Sequence, residues 1–595
     1  MSGCADPDEP AISLARLAGA STRISQGMRV MLKIADRVLG IHELNRRYRA
    51  GISPGADPFE FARQALDTLE ISVEVSPDDA VKQIPHTGPV LLVSNHPFGG
   101  AEALCLASLL RDIRADVRFL ANGALRVFAE LEPLLIPVNP LSIEASNVTS
   151  IRRCQAHLES GGLLVVFPAG RVASYHGGRR RIADARWNRL VDRLLRRSDA
   201  SLLAVHFPGT NSRAFHAMGR IWETSKMLML PRELLGKHGE RLRTELRSPI
   251  SSAAWRKLPL EDLTPLARLL STVSRNSLAT SAGGSGSANR APVAQRGPVA
   301  SMLKDITSLP ASQLLLDDQR FSVFWAYGHQ IPAVMHEIAR ERERTFRVLD
   351  EGSGAALDTD DFDATYVQLF AWDWQSNTLV GAYRMGRTDQ LRRTAGNAGL
   401  YLSQMFEFAP AFHDSAPPAL ELGRSFVAPE HQRSYRALYL LWQGIGRFLV
   451  QHPQYRRLYG TVSLSRQFND TAVAMLCDAL IEPGAAVQPR YALRTPLPAE
   501  WLEFRHVPGA RDLTTLSVIV RSFDSAGKDL PVLLRHYHRI GARFHCVGVD
   551  PNFLDTPGLL LSVDLDGIEP RKVAAFFGDG LEGYLNHPAA ARDAS

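Results

Sequence analysis

The sequence has no apolar run approaching the roughly 18 to 20 residues that a membrane-spanning helix needs, although 45% of its 595 residues are hydrophobic. No apolar segment stands beside a cleavage site near its first residue, so no secretory signal is expected. Cysteine is scarce: Cys4, Cys105, Cys154, Cys477 and Cys546 are scattered and odd in number. That excludes a disulfide framework and a zinc spacing, and the expected setting is the reducing cytoplasm. No helix-turn-helix, finger or RNA-binding signature occurs, so nucleic acid is not an expected partner. No metal site is suggested, and no repeat relates one half of the chain to the other.

What is present is a folded composition, with 22% charged residues and a net charge of +6. A modest positive excess suits an acidic carrier protein or an anionic lipid surface. Between Arg171 and Arg197 nine arginines stand against Asp184 and Asp192. Inside that segment Trp187, Leu190, Val191, Leu194 and Leu195 recur at helical spacing, flanked by Arg186, Arg189, Arg193, Arg196 and Arg197. This is a basic amphipathic helix. Alone it reads first as an ordinary helix laying its apolar stripe on a core, and second as one lying on an anionic membrane surface.

The stretch "SLATSAGGSGSANRAPVAQRGPVA" over 277–300 is almost without large apolar residues, the composition of a flexible linker. It divides the chain into a basic helical segment at 1–75, a domain at 76–270, a linker at 271–305 and a second domain at 306–595. In the first domain "PVLLVSN", "VRFLAN", "GLLVVFP" and "SLLAVHFPG" read as strands alternating with helices, which predicts a layered α/β fold. The second domain begins helical, then gives strands at "ATYVQLFAWD", "TLVGAYRMG", "ALELGRSFV" and "RLYGTVSLS" and a long helix near 434–451. It is again α/β.

The chemistry-bearing residues sit where strands end. "LLVSNHPFGGAEALCL" puts Asn95 and His96 at the exit of an apolar strand, then Gly99 and Gly100, then Glu102 at the start of a helix. A histidine with a carboxylate one turn away is a minimal general-base unit: the acid holds the tautomer and the free nitrogen takes a proton from a hydroxyl. The same histidine reads equally as a strand-edge cap. Two further strand ends carry polar turns: "LVVFPAGR", ending at Arg171, and "HFPGTNSRAFH", with Asn211 and Arg213.

In this order, "NHPFGG", "VVFPAGR" and "FPGTNSRAFH" resemble the lysophospholipid acyltransferase family with its PlsC-like fold. The resemblance implies that His96 is the general base, Glu102 its partner, and Arg171 an anchor for an anionic group. Asn95, Gly99, Gly100, Asn211 and Arg213 would line the substrate site. The family's acid usually stands one place earlier, where this chain has Ala101, and its Phe-Pro-Glu-Gly turn has Ala169 in place of the glutamate.

In the second half, Arg342 and Phe346, Gly381 and Arg384, and Glu421 and Arg424 resemble the paired motifs of GNAT-like acyltransferases that use acyl carrier protein. Among these are the ornithine lipid synthases and, more distantly, the acyl-homoserine lactone synthases. Glu421 and Arg424 are three apart on a predicted strand, so they face opposite sides unless a bulge intervenes. The stretch "QRSYRA" has Tyr435 where a coenzyme A pyrophosphate loop has glycine, which leans toward a carrier-protein donor.

Together the halves resemble bifunctional ornithine lipid synthases. The resemblance implies that Glu421 assists amine deprotonation, while Arg342, Phe346, Arg384 and Arg424 bind substrate. The amine of ornithine would be acylated first and the hydroxyl of the lyso-aminolipid second. The donor would be acyl-acyl carrier protein or acyl-CoA with no resident cofactor, on the inner face of the cell membrane. A lysophospholipid acyltransferase fused to an N-acyltransferase for a different amino acid (glycine, glutamine or lysine) and a non-catalytic lipid-binding protein are the alternatives.

Overall fold

The structure is a computed structural model. It describes residues 13, 26–138, 146–175, 181–221, 225–275, 290–414, 417–433, 435–465, 468–484 and 486–588. The chain forms two compact units, Met1–Ser277 with Pro498–Lys528, and Leu278–Leu497 with Asp529–Ser595. The second unit is thus interrupted by a 498–528 segment that folds with the first.

The first unit is built on strands β1 (Ser72–Ser76), β2 (Val90–Ser94), β3 (Val117–Asn122), β4 (Leu135–Val138), β5 (Leu163–Val166), β8 (Ser201–His206) and β9 (Arg241–Leu246). A two-stranded hairpin, β6 (Ser174–Tyr175) and β7 (Ile182–Ala183), stands apart from them. The sheet order is β1-β9-β8-β2-β5-β3-β4. The five strands from β8 to β4 run parallel, β9 joins β8 antiparallel, and β1 pairs parallel with β9. Every residue of central β2 is buried. A parallel strand covered on both faces needs such an unbroken apolar sequence. Helix α1 (Ala101–Leu110) follows β2 and buries Cys105, Leu106 and Leu110 in the unit's core.

The arginine-rich segment is helical at α2 (Leu190–Ser198). Its apolar stripe is not available to a membrane. Val191, Leu194 and Leu195 are all buried, and Trp187 donates its ring N–H to buried Asp184 at 3.2 Å. Two of its arginines are paired, Arg189 with Asp262 at 3.1 Å and Arg196 with Asp192 at 2.8 Å. The stripe serves core packing, the ordinary reading of this helix, and not the membrane-lying one.

The second unit carries β10 (Leu314–Asp318), β11 (Phe321–Tyr327), β12 (Val367–Asp373), β13 (Thr378–Arg387), β15 (Ala419–Val427), β16 (Arg457–Ser463), β18 (Arg543–Asp550) and β19 (Thr556–Asp564) in one sheet. A pair, β14 (Phe406–Phe408) and β17 (Val487–Pro489), lies outside it. The order is β10-β11-β12-β13-β15-β16-β19-β18, and the one parallel pair in that sheet is β15 with β16. Their pairing ends at Leu422 and Gly460 although both strands continue, so they part beyond that point. Helices α3 (Pro332–Arg347) and α4 (Tyr435–Gln451) pack on this sheet. Both ends of the expected 271–305 linker are helical, within Thr264–Thr272 and Val299–Thr307, and residues 276–289 lie outside the described residues.

Candidate active sites

In the first unit, β2 ends at Ser94 and the chain turns through Asn95-His96-Pro97-Phe98-Gly99-Gly100 into α1. Glu102 lies in the first turn of α1, fully buried. Its carboxylate accepts the backbone N–H groups of Phe98 (2.5 Å), Gly99 (3.2 Å) and Gly100 (3.0 Å). A carboxylate at a helix N-terminus satisfies donors that the helix leaves open. The same group reaches His96, with Nδ1 3.4 Å from Oε1. This is an ion-pair contact rather than an aligned hydrogen bond, since Nδ1 has no hydrogen-bond acceptor among the described residues. The extra residue before the acid is thus absorbed by the loop, and the pair meets.

His96 is held on every side. Its N–H donates to Asp184 Oδ1 at 3.2 Å, its carbonyl accepts from Ala173 N–H at 2.9 Å, and its ring lies 4.6 Å from that of Phe167. Burial opposes charging the imidazole, but the carboxylates of Glu102 and Asp184 outweigh it and raise the His96 pKa above its usual value. Burial works against the Glu102 charge too, yet His96 and the Phe98 N–H hold its pKa below the ordinary range. Burial raises the Asp184 pKa despite the His96 N–H and Trp187.

The other expected residues divide. Asn95 is spent on a strut: its amide donates to Phe207 O and accepts from Phe207 N–H, both at 2.8 Å, tying the ends of β2 and β8. Asn211 donates to Phe98 O at 3.1 Å, which braces the histidine loop. Gly99 has φ +94°, and a Cβ there would stand 2.6 Å from Leu230 and 2.8 Å from Val172. At Gly100 a Cβ would meet open space. Arg171 and Arg213 are exposed, Arg171 just past the left-handed turn at Gly170 and Arg213 at the start of a helix.

In the second unit a bulge brings Glu421 and Arg424 to one cluster. Ala382 pairs with Phe426 but Arg384 with Gly423, so β15 carries one extra residue, and Arg424 takes φ +47°. Arg424 then lies 3.3 Å from Asp358 and 3.6 Å from Asp360. Arg384 meets Asp360 at 2.5 Å and Asp363 at 3.3 Å, and Arg342 meets Asp363 and Gln368, both at 2.8 Å. The guanidinium of Arg424 lies over Tyr401 and Phe553, and Phe346 packs edge-on against Phe553 at 5.0 Å. The Nε and Nη2 groups of Arg384 have no acceptor among the described residues, which leaves them for an anionic group.

Glu421 is 2% exposed and fully engaged. It accepts Tyr366 OH (2.9 Å) and Leu402 N–H (3.2 Å) on one oxygen and Tyr459 OH (3.0 Å) on the other. Burial raises its pKa in spite of both tyrosines. Sequence reading missed Asp358, Asp360 and Asp363, for which "LDTDDFD" was the available signal. It also missed Asp184, whose partner lies 88 residues away with no local signal.

Comparison with known proteins agrees with the two-unit division. A family described as acyltransferase matches residues 23–258, and an acetyltransferase (GNAT) domain matches residues 342–443. A glycine N(alpha)-acyltransferase of Bacteroides thetaiotaomicron is 30% identical over 254 residues, 39% of this chain and 74% of that protein. A lyso-glycine lipid O-acyltransferase of Phocaeicola vulgatus is 27% identical over 163 residues, 27% of this chain and 56% of that protein. An L-ornithine N(alpha)-acyltransferase of Agrobacterium fabrum is 24% identical over 205 residues, 34% of this chain and 63% of that protein.

Proposed function

We infer the function from the family to which this chain belongs, that of the N-acyltransferase from Bacteroides thetaiotaomicron: it is an acyl-transferring enzyme, and it makes a two-chain aminolipid. The second unit acylates the α-amine of an amino acid with a 3-hydroxyacyl group. The first unit then acylates the hydroxyl of that lyso-lipid. One observation carries the reading. A single chain is similar both to N-acyltransferases of amino acids and to an O-acyltransferase of a lyso-aminolipid.

Features of both units support the reading. A hydroxyl is a weak nucleophile toward a thioester and must lose its proton as it attacks. Neutral His96 takes that proton, while Glu102 fixes the ring and stabilises the imidazolium. The unspent N–H groups of Arg384 suit the carboxylate of an amino acid. The head group is ornithine, the donor is acyl-acyl carrier protein or acyl-CoA, and the chain works at the inner membrane face. Glycine is the second reading, favoured by the 30% identity to the glycine enzyme against 24% to the ornithine enzyme.

The test is mass spectrometry of lipids from a host without aminolipids that expresses the full chain. A diacylated ornithine lipid is expected. A glycine lipid would move the head group to the second reading, and no new aminolipid would refute both.

A further inference from the structure

The N-acyl step requires a base, because an α-amine is protonated near neutral pH. Glu421 is poorly placed for it: both oxygens are occupied by tyrosine hydroxyls and a backbone N–H. Another carboxyl is free of such commitments. Glu351, four residues past the end of α3, is 1% exposed. The hydroxyl of Ser463 donates to its Oε2 at 3.0 Å. No cation among the described residues forms an ion pair with it. Charged side chains of the flanking segment are engaged elsewhere: Glu343 with Arg347 at 2.6 Å and Asp350 with Arg290 at 3.6 Å.

Its place in the fold matters as much. Ser463 is the last residue of β16, three beyond the point where β16 stops pairing with β15. The gap between the two strands therefore opens next to the Glu351 carboxyl. The backbone N–H of Glu351 bonds Phe346 O at 3.0 Å, and Phe346 leads through Phe553 to Arg424. Glu351 is thus connected by packing to the arginine–aspartate cluster at the start of the opening.

We propose that Glu351, rather than Glu421, accepts the proton of the amine that the second unit acylates. The proposal rests on the N-acylation reading above. An ammonium gives one proton to the Glu351 carboxylate, and the freed lone pair attacks the thioester carbonyl carbon. The C–N bond forms and the C–S bond breaks. The departing thiolate takes the second nitrogen proton, and Glu351 returns its own to solvent. Burial, opposed only by the Ser463 hydrogen bond, pushes the Glu351 pKa up to about 7, where a carboxylate can take and release a proton in each cycle.

The experiment measures N-acyl transfer by the full chain from an acyl thioester, over pH 5.5 to about 9, with the amino acid and with hydroxylamine. In the neutral and alkaline part of that range hydroxylamine is largely unprotonated, so its lone pair needs no base to free it. Glu351→Gln keeps the Ser463 hydrogen bond and should lose about 10²-fold or more in kcat/KM for the amino acid. It should keep the thioester KM and transfer to hydroxylamine as the unsubstituted chain does. Ser463→Ala removes the one hydrogen bond that favours the charged carboxyl, so it should move the rising pH limb upward. It also decides the matter if Glu351→Gln does not fold. Activity within threefold in Glu351→Gln, equal losses with both nucleophiles, or an unmoved limb in Ser463→Ala would overturn this inference alone. Absence of amino-acid N-acylation by the unsubstituted chain would overturn the underlying reading with it.

Discussion

His96 and Glu102 show how one carboxylate can hold a loop and a histidine together. Glu102 takes three backbone N–H groups and still lies 3.4 Å from Nδ1. The pH behaviour follows from the sign of the His96 shift. A general base acts when neutral. With the pKa raised above its usual value, O-acyl transfer should be lost as pH falls through that raised value, and the limb should lie above the 6.5 of an ordinary histidine. Glu102→Gln removes the attraction that stabilises the imidazolium, so its limb should shift to lower pH. Its maximal rate should fall by about 10²-fold or more, since the ring loses its orienting charge. His96→Ala should leave the N-acyl lyso-lipid to accumulate, with N-acyl transfer untouched. Pre-steady-state or steady-state O-acylation against pH checks all three, and a limb unmoved in Glu102→Gln would sever the assigned coupling.

At the scale of the elements, the two glycines after His96 give a paired prediction. Gly99→Ala places a Cβ at φ +94° within 2.8 Å of Leu230 and Val172, and should destabilise the first unit by about 1–3 kcal/mol. Gly100 is extended at φ −175° with open space around its would-be Cβ. Gly100→Ala should leave stability within about 0.5 kcal/mol while lowering O-acyl transfer if the acceptor occupies that space. Chemical denaturation beside an activity assay separates the two effects. These elements also mark what was legible beforehand. Strand β2, buried on both faces, announced itself as an apolar run, and the α/β alternation followed. The bulge in β15 did not: nothing in "ELGRSF" reveals that one extra residue turns Arg424 toward Asp358. Nor could "DTDDFD" disclose three arginine partners lying on α3, β13 and β15. The stripe of α2 was visible, but its burial depends on surrounding elements that helical spacing does not encode.

For the whole molecule, the linear division into halves meets a physical obstacle. Residues 498–528 follow the GNAT-like stretch in sequence yet belong to the first unit. There Trp501, Phe504, Leu516, Ile519, Val520 and Phe523 are all buried. Each such side chain contributes roughly 1.5–3 kcal/mol through burial, so their sum is of the same order as the net stability of an ordinary domain. Polar contacts fix the segment as well. Buried Arg247 lies over the Phe523 ring at 4.3 Å, Arg275 donates to Ser522 O at 3.0 Å, and Arg268 meets Glu503 at 2.9 Å. Cutting the chain at the Gly/Ser-rich stretch would strip these groups from the first unit and leave its apolar surface uncovered. Residues 1–290 expressed alone should therefore be poorly soluble, with a broad and early thermal transition. Residues 1–290 joined by a flexible linker to 498–528 should regain soluble yield and a cooperative melt by circular dichroism. If residues 1–290 alone melted as cooperatively and as high as the fusion, the segment would be an accessory. The expected failure explains why the two acyl-transfer steps are better separated by point variants in the full chain than by dividing it.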